Sequence, residues 1–481
     1  MRHLHLGCAA LVFLAGCTLG PDYQRPDFHT QDKAVWQSDL NTKTGTQAVE
    51  AADWWKQLND PLLSELISGA LQENRDLGVA LANIERAKAL RRVAAGGYYP
   101  TLDASGSANR SRFSRQTGFG ANTGTRNTFS ASLDASWELD LFGRTRRAVE
   151  AADARIQASE EAKRGLMLSV VAEVATNYFE ARGLQRQLAV TEQDIGLLRE
   201  MEEIARAQSE LGVTTELDLT RAIGERETFE AKLPNLQAEI AARTYRISVL
   251  TGQAPAFHAK ALQQSQPLPM PPDLVPVGLP SDILKRRPDV QQAERELASA
   301  TADIGIAKAD MFPSFSLTGA VGTSARVFSD LFTPATVTRS VGSALAWPIF
   351  AGGSITAAVD VAEADAKAAL ASYEQSVLLA LEDGEASLMR YGKEWQTLKR
   401  LQSAEATRQQ AFEIARLRYE AGEENFLVIL DAERALITTR NDIISSETRI
   451  LTGLAQLYKA LGGGWRSLAE QGGTVNSQAG S

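Results

Sequence analysis

The sequence predicts a mostly α-helical protein with a small transmembrane β part, in which one arrangement of elements occurs twice. Apolar residues recur at three- and four-residue spacing over long stretches, which is the period of an amphipathic α-helix. In two short segments the period changes to two, as in a strand with one apolar and one polar face. Several residues also recur at a constant offset in the two halves of the chain, which indicates an internal duplication.

The first 16 residues have the features of a lipoprotein signal peptide. Arg2 supplies a positive charge, and the apolar run from Leu6 to Leu14 is followed by two small residues. Cys17 ends a Leu-Ala-Gly-Cys sequence that resembles the bacterial lipobox, so we expect Cys17 to carry a covalent lipid. An ordinary secretory peptide with a chance cysteine is the alternative. Thr18 stands where aspartate would be an inner-membrane retention signal, and this favours the outer membrane.

The composition of the chain excludes several classes of protein. The chain has 481 residues and a net charge of −9, with charges of both signs interspersed, which argues against nucleic acid as a partner. No apolar run long enough for a transmembrane helix follows the first 20 residues, so we expect strands to make any membrane crossing. Cys8 leaves with the signal peptide, and the mature chain therefore contains no disulfide.

The sequence offers no candidate catalytic or metal-ligating residue. The mature chain has two histidines, His29 and His258, and both lie in irregular segments that contain proline. It has no glycine-rich phosphate loop, no metal-ligand spacing and no nucleophile elbow. We therefore expect a protein that is not an enzyme and has no cofactor besides the lipid on Cys17.

The elements follow in order along the chain. Residues 17–60 are expected to form a lipid-anchored tether and an equatorial segment, and the first repeat covers residues 61–266. This repeat is predicted to begin with a helix from about Pro61 to Ala95, which Pro100 stops because proline lacks an N–H group. A β-hairpin at 101–141 follows, with a loop from Asn109 to Asn127.

A very long helix dominates each repeat. In the first repeat it runs from Phe142 to Ala207 without an internal proline, and at 1.5 Å per residue it would be about 100 Å long. After a turn at Gly212, a shorter helix is predicted from about Thr215 to Leu250. A rod of this length exceeds the needs of a compact domain, so we expect it to span a distance.

The second repeat is predicted to copy this order. A proline-rich linker at 267–281 precedes it, and the repeat covers 282–464 with a β-hairpin at 313–350 and a turn at Gly422. Residues 465–481 are expected to be disordered. Trp137, Gly143, Gly212 and Gly252 recur as Trp347, Gly353, Gly422 and Gly462, all at an offset of 210 (347 − 137).

Four amphipathic strands are too few to close a sheet across a membrane. Lipid cannot satisfy an open sheet edge, and known barrels begin at about 8 strands, so closure requires several copies of the chain. Three copies would supply 12 strands, with the helices continuing the cylinder below. We expect these polar residues to line water: Ser130, Ser132, Asp134, Ser316 and Thr318. These aromatic residues are expected either in a membrane girdle or in ordinary helix–strand packing: Tyr98, Tyr99, Trp137, Phe312 and Trp347.

Several motifs carry a family resemblance. They are Cys17-Thr-Leu-Gly-Pro-Asp-Tyr-Gln-Arg-Pro26, Arg287-Pro-Asp-Val290, Phe312-Pro-Ser314, Trp347-Pro-Ile-Phe350, Tyr419-Glu-Ala-Gly422, Phe426-Leu-Val-Ile-Leu-Asp-Ala-Glu-Arg434 and Leu457-Tyr-Lys-Ala-Leu-Gly-Gly-Gly-Trp465. Together they resemble the TolC-type outer-membrane factors, in their OprM-like, NodT-type lipoprotein branch.

The resemblance implies an architecture and partners. It implies a homotrimer with a 12-stranded outer-membrane β-barrel, continued by a long periplasmic α-helical barrel. Such a trimer would be a passive gated duct of a tripartite efflux system in a Gram-negative bacterium and would export drugs, detergents and organic toxicants. Its partners would be a periplasmic adaptor (membrane fusion protein), an inner-membrane pump of the RND type and outer-membrane lipid.

The same resemblance points to candidate functional residues. Leu427, Asp431 and Arg434 share one helix face and match positions that narrow the closed periplasmic end in this family. Three copies of Asp431 would form an acidic ring, held by Arg434 and by Arg416 or Arg418 across helices; the alternative is an exposed pair between Asp431 and Arg434. Residues at the two turns are expected to meet the adaptor: Leu211, Gly212, Val213, Tyr419 and Gly422.

The sequence is also compatible with other interpretations. The same duct could serve heavy-metal efflux, although the methionines are scattered rather than clustered. A structural coiled-coil periplasmic lipoprotein without a channel would fit the helices but would leave the strands unexplained. Four arginines crowd the first strand loop, where they could meet lipopolysaccharide phosphates or lie in a solvated loop: Arg110, Arg112, Arg115 and Arg126.

Overall fold

The computed structural model describes residues 18–26, 36, 44–45, 53–112, 125–212, 215–272, 275–277 and 285–463. The signal peptide, Cys17, Arg115, Val213 and the segment expected to be disordered lie outside these residues. None of the helices in the described ranges combines the length and the apolar character needed to traverse a bilayer.

Nine helices occur in the described part of the chain. The first repeat contains α1 (Pro61–Glu73), α2 (Arg75–Gly96), α3 (Arg144–Glu210), α4 (Glu216–Glu230), α5 (Lys232–Leu250) and the short α6 (Ala259–Gln263). The second contains α7 (Pro288–Ala309), α8 (Ser354–Glu420) and α9 (Phe426–Ala460). The two long helices, α3 and α8, are both 67 residues long. A 3₁₀ helix covers Trp54–Leu58.

The helix expected from Pro61 to Ala95 is interrupted at Asn74. The Asn74 backbone has an extended ψ of 128°, and its N–H donates to the Ala70 carbonyl at 3.0 Å, which ends α1. Its Oδ1 then accepts from the N–H groups of Asp76 and Leu77 at 3.0 and 3.2 Å, which caps the start of α2. The Asn74 side chain also donates to the Leu250 carbonyl at 2.9 Å, so tertiary contact fixes the break.

The helix expected from Thr215 to Leu250 is likewise two helices, α4 and α5, which meet at Ala231. Pro234 lies in the first turn of α5, where it cannot donate a backbone hydrogen bond to the preceding turn. The missing donor at Pro234 accounts for the change of helix at this point.

The principal sheet has four antiparallel strands in the order β2-β3-β5-β6. They are β2 (Thr101–Arg112), β3 (Thr125–Leu139), β5 (Ser314–Ala325) and β6 (Val337–Ala346). Pairing of β2 with β3 continues to Arg112 and Thr125, so the expected loop from Asn109 to Asn127 was too long. Arg110, Arg112 and Arg126 therefore lie on strands. A separate small sheet pairs β1 (Thr44–Gly45) with β4 (Val275–Pro276) in parallel.

The register places the predicted polar residues on one face of the sheet. Asp134 lies opposite Ala320 and Ser136 lies opposite Thr318. Hydroxyl groups pair across β2 and β3 on this face, with Ser105 and Ser132 oxygens 2.8 Å apart. Large apolar residues such as Leu133, Trp137 and Leu317 occupy the other face, because successive side chains of a strand point to opposite sides. A slip of one residue would reverse both faces.

The chain divides into two compact units. The first comprises Met1–Asp27, Asn83–Glu160 and Gln292–Glu374, and it contains the four-stranded sheet. In this unit the buried Arg147 donates to the carbonyls of Leu19 and Gly20 at 2.9 and 3.2 Å. The segment after residue 17 is thereby fixed on α3.

The second unit comprises Phe28–Ala82, Glu161–Gln291 and Gln375–Ser481. Its core includes Leu63, Ile67, Tyr178, Phe179 and Leu457, each with no exposed surface. Both turns that follow the long helices, and all the described gate candidates, belong to this unit.

Candidate gate and helix turns

Glycines end the two long helices in the left-handed conformation. Gly212 after α3 has a φ of +71° and Gly422 after α8 has a φ of +74°. At the second turn the Gly422 N–H donates to the Tyr419 carbonyl at 3.0 Å and the Glu423 N–H donates to the Arg418 carbonyl at 2.9 Å. This is the Schellman pattern, which needs a residue that tolerates positive φ.

The predicted turn residues differ in exposure. Leu211 is 78% exposed, so it lies on the surface of the first turn. Tyr419 is 4% exposed, and its ring packs edge-on against Phe426 with centroids 5.8 Å apart. Tyr419 therefore packs inside the second turn, and its contact with the adaptor stays a prediction.

One apolar cluster joins four helices behind the turns. Side chains of α3, α4, α8 and α9 meet in it, because each helix carries apolar residues at helical spacing on one face. Its members are Met201, Ala205, Ala222, Phe412, Ala415, Tyr419, Phe426, Ile429, Leu430 and Leu436.

The three predicted gate residues share the exposed side of α9. Asn425 caps this helix through its side-chain oxygen, which accepts from the Val428 N–H. Leu427 is 46% exposed, and Asp431 and Arg434 are also exposed. The opposite side of the helix is buried, so the spacing of four and three residues brings Leu427, Asp431 and Arg434 onto one surface as expected.

Arg434 is bound by Glu225, a residue that the sequence did not single out. The Arg434 Nε donates to Glu225 Oε1 at 2.8 Å, and an Arg434 terminal nitrogen donates to the second carboxylate oxygen. Glu225 lies on the buried face of α4 with Ala222 and Phe229. An acid at the spacing of that apolar face is the signal that could have revealed it.

The other arginines expected near Asp431 have different partners within the chain. Arg416 pairs with Glu413 and Glu420 at 3.4 and 3.8 Å, and Arg418 approaches Glu423 at 4.0 Å. In the described part of the chain Asp431 makes no ion pair.

Two buried acids on neighbouring helices lie near each other, and one of them directly precedes Arg434 in sequence. Glu433 on α9 and Asp194 on α3 are each 1% exposed. Neither Glu433 oxygen has a hydrogen-bond partner among the described residues. Burial raises the pKa of Glu433 to about 8, with further contributions from the charges of Asp194 and Glu225. Burial also raises the pKa of Asp194 to about 6, against the opposing effect of Arg440.

The predicted girdle aromatics lie at the ends of the sheet. Tyr99 is 71% exposed and Trp347 is 55% exposed, and Tyr98, Trp137 and Phe312 are exposed to lesser degrees. The Trp347 indole N–H donates to the Met311 carbonyl at 3.1 Å. The ring of Phe312 lies 4.9 Å from that of Phe142, which is a packing contact. Their role as a girdle stays a prediction.

Within the described ranges no cluster of three or more His, Cys, Asp or Glu residues is arranged to hold a metal ion.

The fold defines a class of protein. An amphipathic four-stranded sheet, two helices of 67 residues and the repeated order of elements are together typical of outer-membrane channel proteins. The family model described as "Outer membrane efflux protein" matches residues 66–253 and 279–463, and the chain belongs to this family.

Named relatives agree with this assignment. The chain is 35% identical to "Probable efflux pump outer membrane protein TtgC" of Pseudomonas putida strain KT2440 over 99% of this chain and 98% of that protein. It is 32% identical to "Outer membrane protein OprJ" of Pseudomonas aeruginosa, over 97% of each chain.

Solved structures agree with the fold. The outer-membrane channel OprN superimposes with a TM-score of 0.87 at 36% identity, covering 93% of this chain and all of that chain. CusC superimposes with a TM-score of 0.79 at 30% identity, over 93% of this chain and all of that chain. The resemblance found in the motifs and the mostly helical fold class with its β part are confirmed. The protein is an outer-membrane efflux channel protein.

Proposed function

We propose that three copies of this chain form a passive gated duct through which a pump and adaptor complex exports small toxic compounds. The supporting observation is that, among the strands that the structure describes, β2 and β6 each pair with one neighbour in the sheet and leave their other edges open. Three copies joined through these edges would give 12 strands, with the polar faces toward water and the apolar faces toward lipid.

The lipid anchor on Cys17 belongs to the same proposal. The Leu19 N–H donates to the Phe142 carbonyl at 3.2 Å, next to the point where β3 passes into α3. Asp22 also pairs with Arg147 at 2.8 Å. A lipidated residue directly before this segment would lie close to the end of the sheet at which β3 passes into α3. A lipid at this end of a membrane-spanning sheet could enter the outer membrane, which supports the proposed anchor.

The names of relatives support the proposed partners and cargo. Close relatives are named for the efflux of toluene, solvents and antibiotics, so organic toxicants are the cargo class that we propose here. A pump component at the outer membrane needs a periplasmic adaptor and an inner-membrane pump, which we take to be of the RND type. Heavy-metal cargo ranks second.

The proposed gate is formed by Leu427, Asp431 and Arg434. Their shared exposure on α9, close to the turn at Gly422, supports this assignment. In a trimer three copies of this surface would face one another and narrow the passage, and the adaptor would meet the neighbouring turns.

Single-channel recording in planar bilayers tests the duct and the gate together. Purified protein should form pores of low conductance, and Asp431→Ala combined with Arg434→Ala should raise that conductance. Pores with unchanged low conductance in the double variant would remove the gate assignment, and a preparation without pores would remove the duct. Restored solvent and antibiotic resistance in a deletion strain, compared with metal resistance, distinguishes the two cargo classes.

A further inference from the structure

We propose that Glu225 is a positioning residue of the gate: its ion pair with Arg434 holds α9 against α4, and the gate opens when this pair separates. The inference rests on the proposed function, because it assigns Glu225 to the gate formed by Leu427, Asp431 and Arg434.

The geometry of the pair constrains orientation as well as distance. Two nitrogens of the Arg434 guanidinium donate to the two oxygens of the Glu225 carboxylate, one of them at 2.8 Å. A bidentate pair of this kind fixes the relative orientation of the two groups, which a single contact from a lysine would not do. It also joins corresponding helices of the two repeats, since α4 and α9 each follow the turn after a long helix.

Each long helix is already tied to the shorter helix that follows it. Arg226 on α4 pairs with Glu202 on α3 at 2.7 Å. Arg440 on α9 pairs with Glu405 on α8 at 3.4 Å. A movement that preserves these two helix pairs must therefore occur between them, by α8 and α9 shifting against α3 and α4.

Few ion pairs resist such a movement. Of those in the described residues that join α9 to α3 or α4, the Arg434–Glu225 pair is nearest in sequence to the turn that precedes α9. The others involve residues further along α9, and they are Arg440 with Asp194 and Arg186 with Glu447. Loss of the Arg434–Glu225 pair would therefore free the gate end of α9 first.

The two partners differ in exposure, and this makes separation costly. The Arg434 side chain is 56% exposed, whereas that of Glu225 is 8% exposed. When Arg434 moves away, the Glu225 carboxylate stays in a poorly hydrated place without its countercharge. The closed arrangement is favoured for this reason.

The pair also explains why Asp431 is not paired with Arg434 and can face the interior of the proposed duct. Arg434 is three residues from Asp431, but its guanidinium group pairs with Glu225. Asp431 makes no ion pair within the described part of its own chain. The Asp431 carboxylate thus lies on the exposed side of α9 without an ion-pair partner among the described residues.

Single-channel recording of Glu225→Gln in planar bilayers tests the proposal. This variant keeps the shape of the side chain and removes its charge. We expect its open fraction to rise about threefold or more, since one partner of the pair is buried. The exchanged variant Glu225→Arg with Arg434→Glu should have a lower open fraction than Arg434→Glu alone, because only the exchanged variant can re-form the pair; a merely structural role of Glu225 would not produce this difference.

The matched control is Glu230→Gln, which removes an acid that binds Arg199 and Arg226 and leaves the α4–α9 contact unchanged. Its conductance should equal that of the wild type.

If Glu225→Gln keeps wild-type conductance while the Asp431 and Arg434 double variant opens, the Glu225 proposal is wrong and the gate assignment is kept. If neither opens, the gate itself is wrong. If Glu225→Gln does not fold, the exchanged variant decides, because it retains both charges, and an open fraction equal to that of Arg434→Glu alone would overturn the proposal.

Discussion

The Tyr178 hydroxyl donates a 2.6 Å hydrogen bond to the carboxylate of Asp60. Tyr178 has no exposed surface and lies within the long helix α3. The second Asp60 oxygen accepts from the Leu63 N–H at 3.0 Å, which caps the start of α1. One carboxylate thus ties the beginning of the helical part to the middle of α3.

Replacement of Tyr178 by phenylalanine should lower the stability of the protein. The change keeps the ring and removes the donor to a charged acceptor, for which we expect a loss of about 1.5–3 kcal/mol. The midpoint of thermal unfolding in mild detergent, followed by circular dichroism, measures the effect. Tyr245→Phe is the control, since Tyr245 is 45% exposed, and it should leave the midpoint unchanged. Equal midpoints for both variants would show that the Asp60 contact contributes nothing.

Replacement of Glu433 by glutamine should change the pH dependence of stability. The folded-state pKa of Glu433 is raised to about 8 from an ordinary value of 4.5, so the folded state holds more protons between these values. Stability of the wild type therefore falls as pH rises from about 4.5 to about 8. Glu433→Gln cannot ionise and should unfold at a higher temperature than the wild type near pH 8, with the difference vanishing near pH 4.

Unfolding midpoints measured across this pH range test the Glu433 prediction. Glu203→Gln serves as the control, because Glu203 lies on the exposed side of α3. A wild-type curve parallel to that of Glu433→Gln would contradict the prediction, since it would mean that Glu433 titrates normally in the folded state.

Substitution of Gly422 by alanine should destabilise the second turn. Open space surrounds the site, so a clash with neighbouring atoms does not contribute. The expected loss of stability is about 1–2 kcal/mol and comes from placing a Cβ at a φ of +74°. Gly224→Ala provides the comparison within α4, where the glycine has helical dihedrals and open space, and there we expect a gain of about 0.5–1 kcal/mol. Opposite shifts of the two unfolding midpoints are the expected result. A gain in both variants would show that the turn relaxes without strain.

Substitution of Arg147 by methionine should release the segment 18–26. The Arg147 side chain is 3% exposed and binds the Leu19 and Gly20 carbonyls together with Asp22. Methionine fills much of the same volume and offers no donor, so these groups lose their partner. Hydrogen exchange of residues 18–26 should accelerate, while exchange within the four-stranded sheet stays as in the wild type. Arg155→Met is the control, since Arg155 is 55% exposed and pairs with Asp303 instead.

Local signals account for the parts of the fold that sequence reasoning found. The strand residues alternate from Ser130 to Asp134, and a period of two dictates opposite faces whatever surrounds the strand. Gly212 and Gly422 mark turns because few other residues tolerate positive φ. Leu427, Asp431 and Arg434 share a side of α9 by spacing alone.

The features that were missed depend on contacts between distant residues. Asn74 divides the first predicted helix because its side chain also meets the Leu250 carbonyl, which no local pattern encodes. Glu225 binds Arg434 across 209 positions of sequence. The burial of Tyr419 beside Phe426 likewise depends on the packing of α8 on α9.

Short-range periodicity and motif spacing were enough to predict the duplicated order of helices and strands, the two faces of the sheet and the family. Which charges form ion pairs and which acids are buried became clear from the folded chain, as with Arg434 on Glu225 and Glu433 near Asp194. The reason is physical: an ion pair or a raised pKa depends on distance and solvation in three dimensions, and helical periodicity fixes only the direction in which a side chain leaves its own helix.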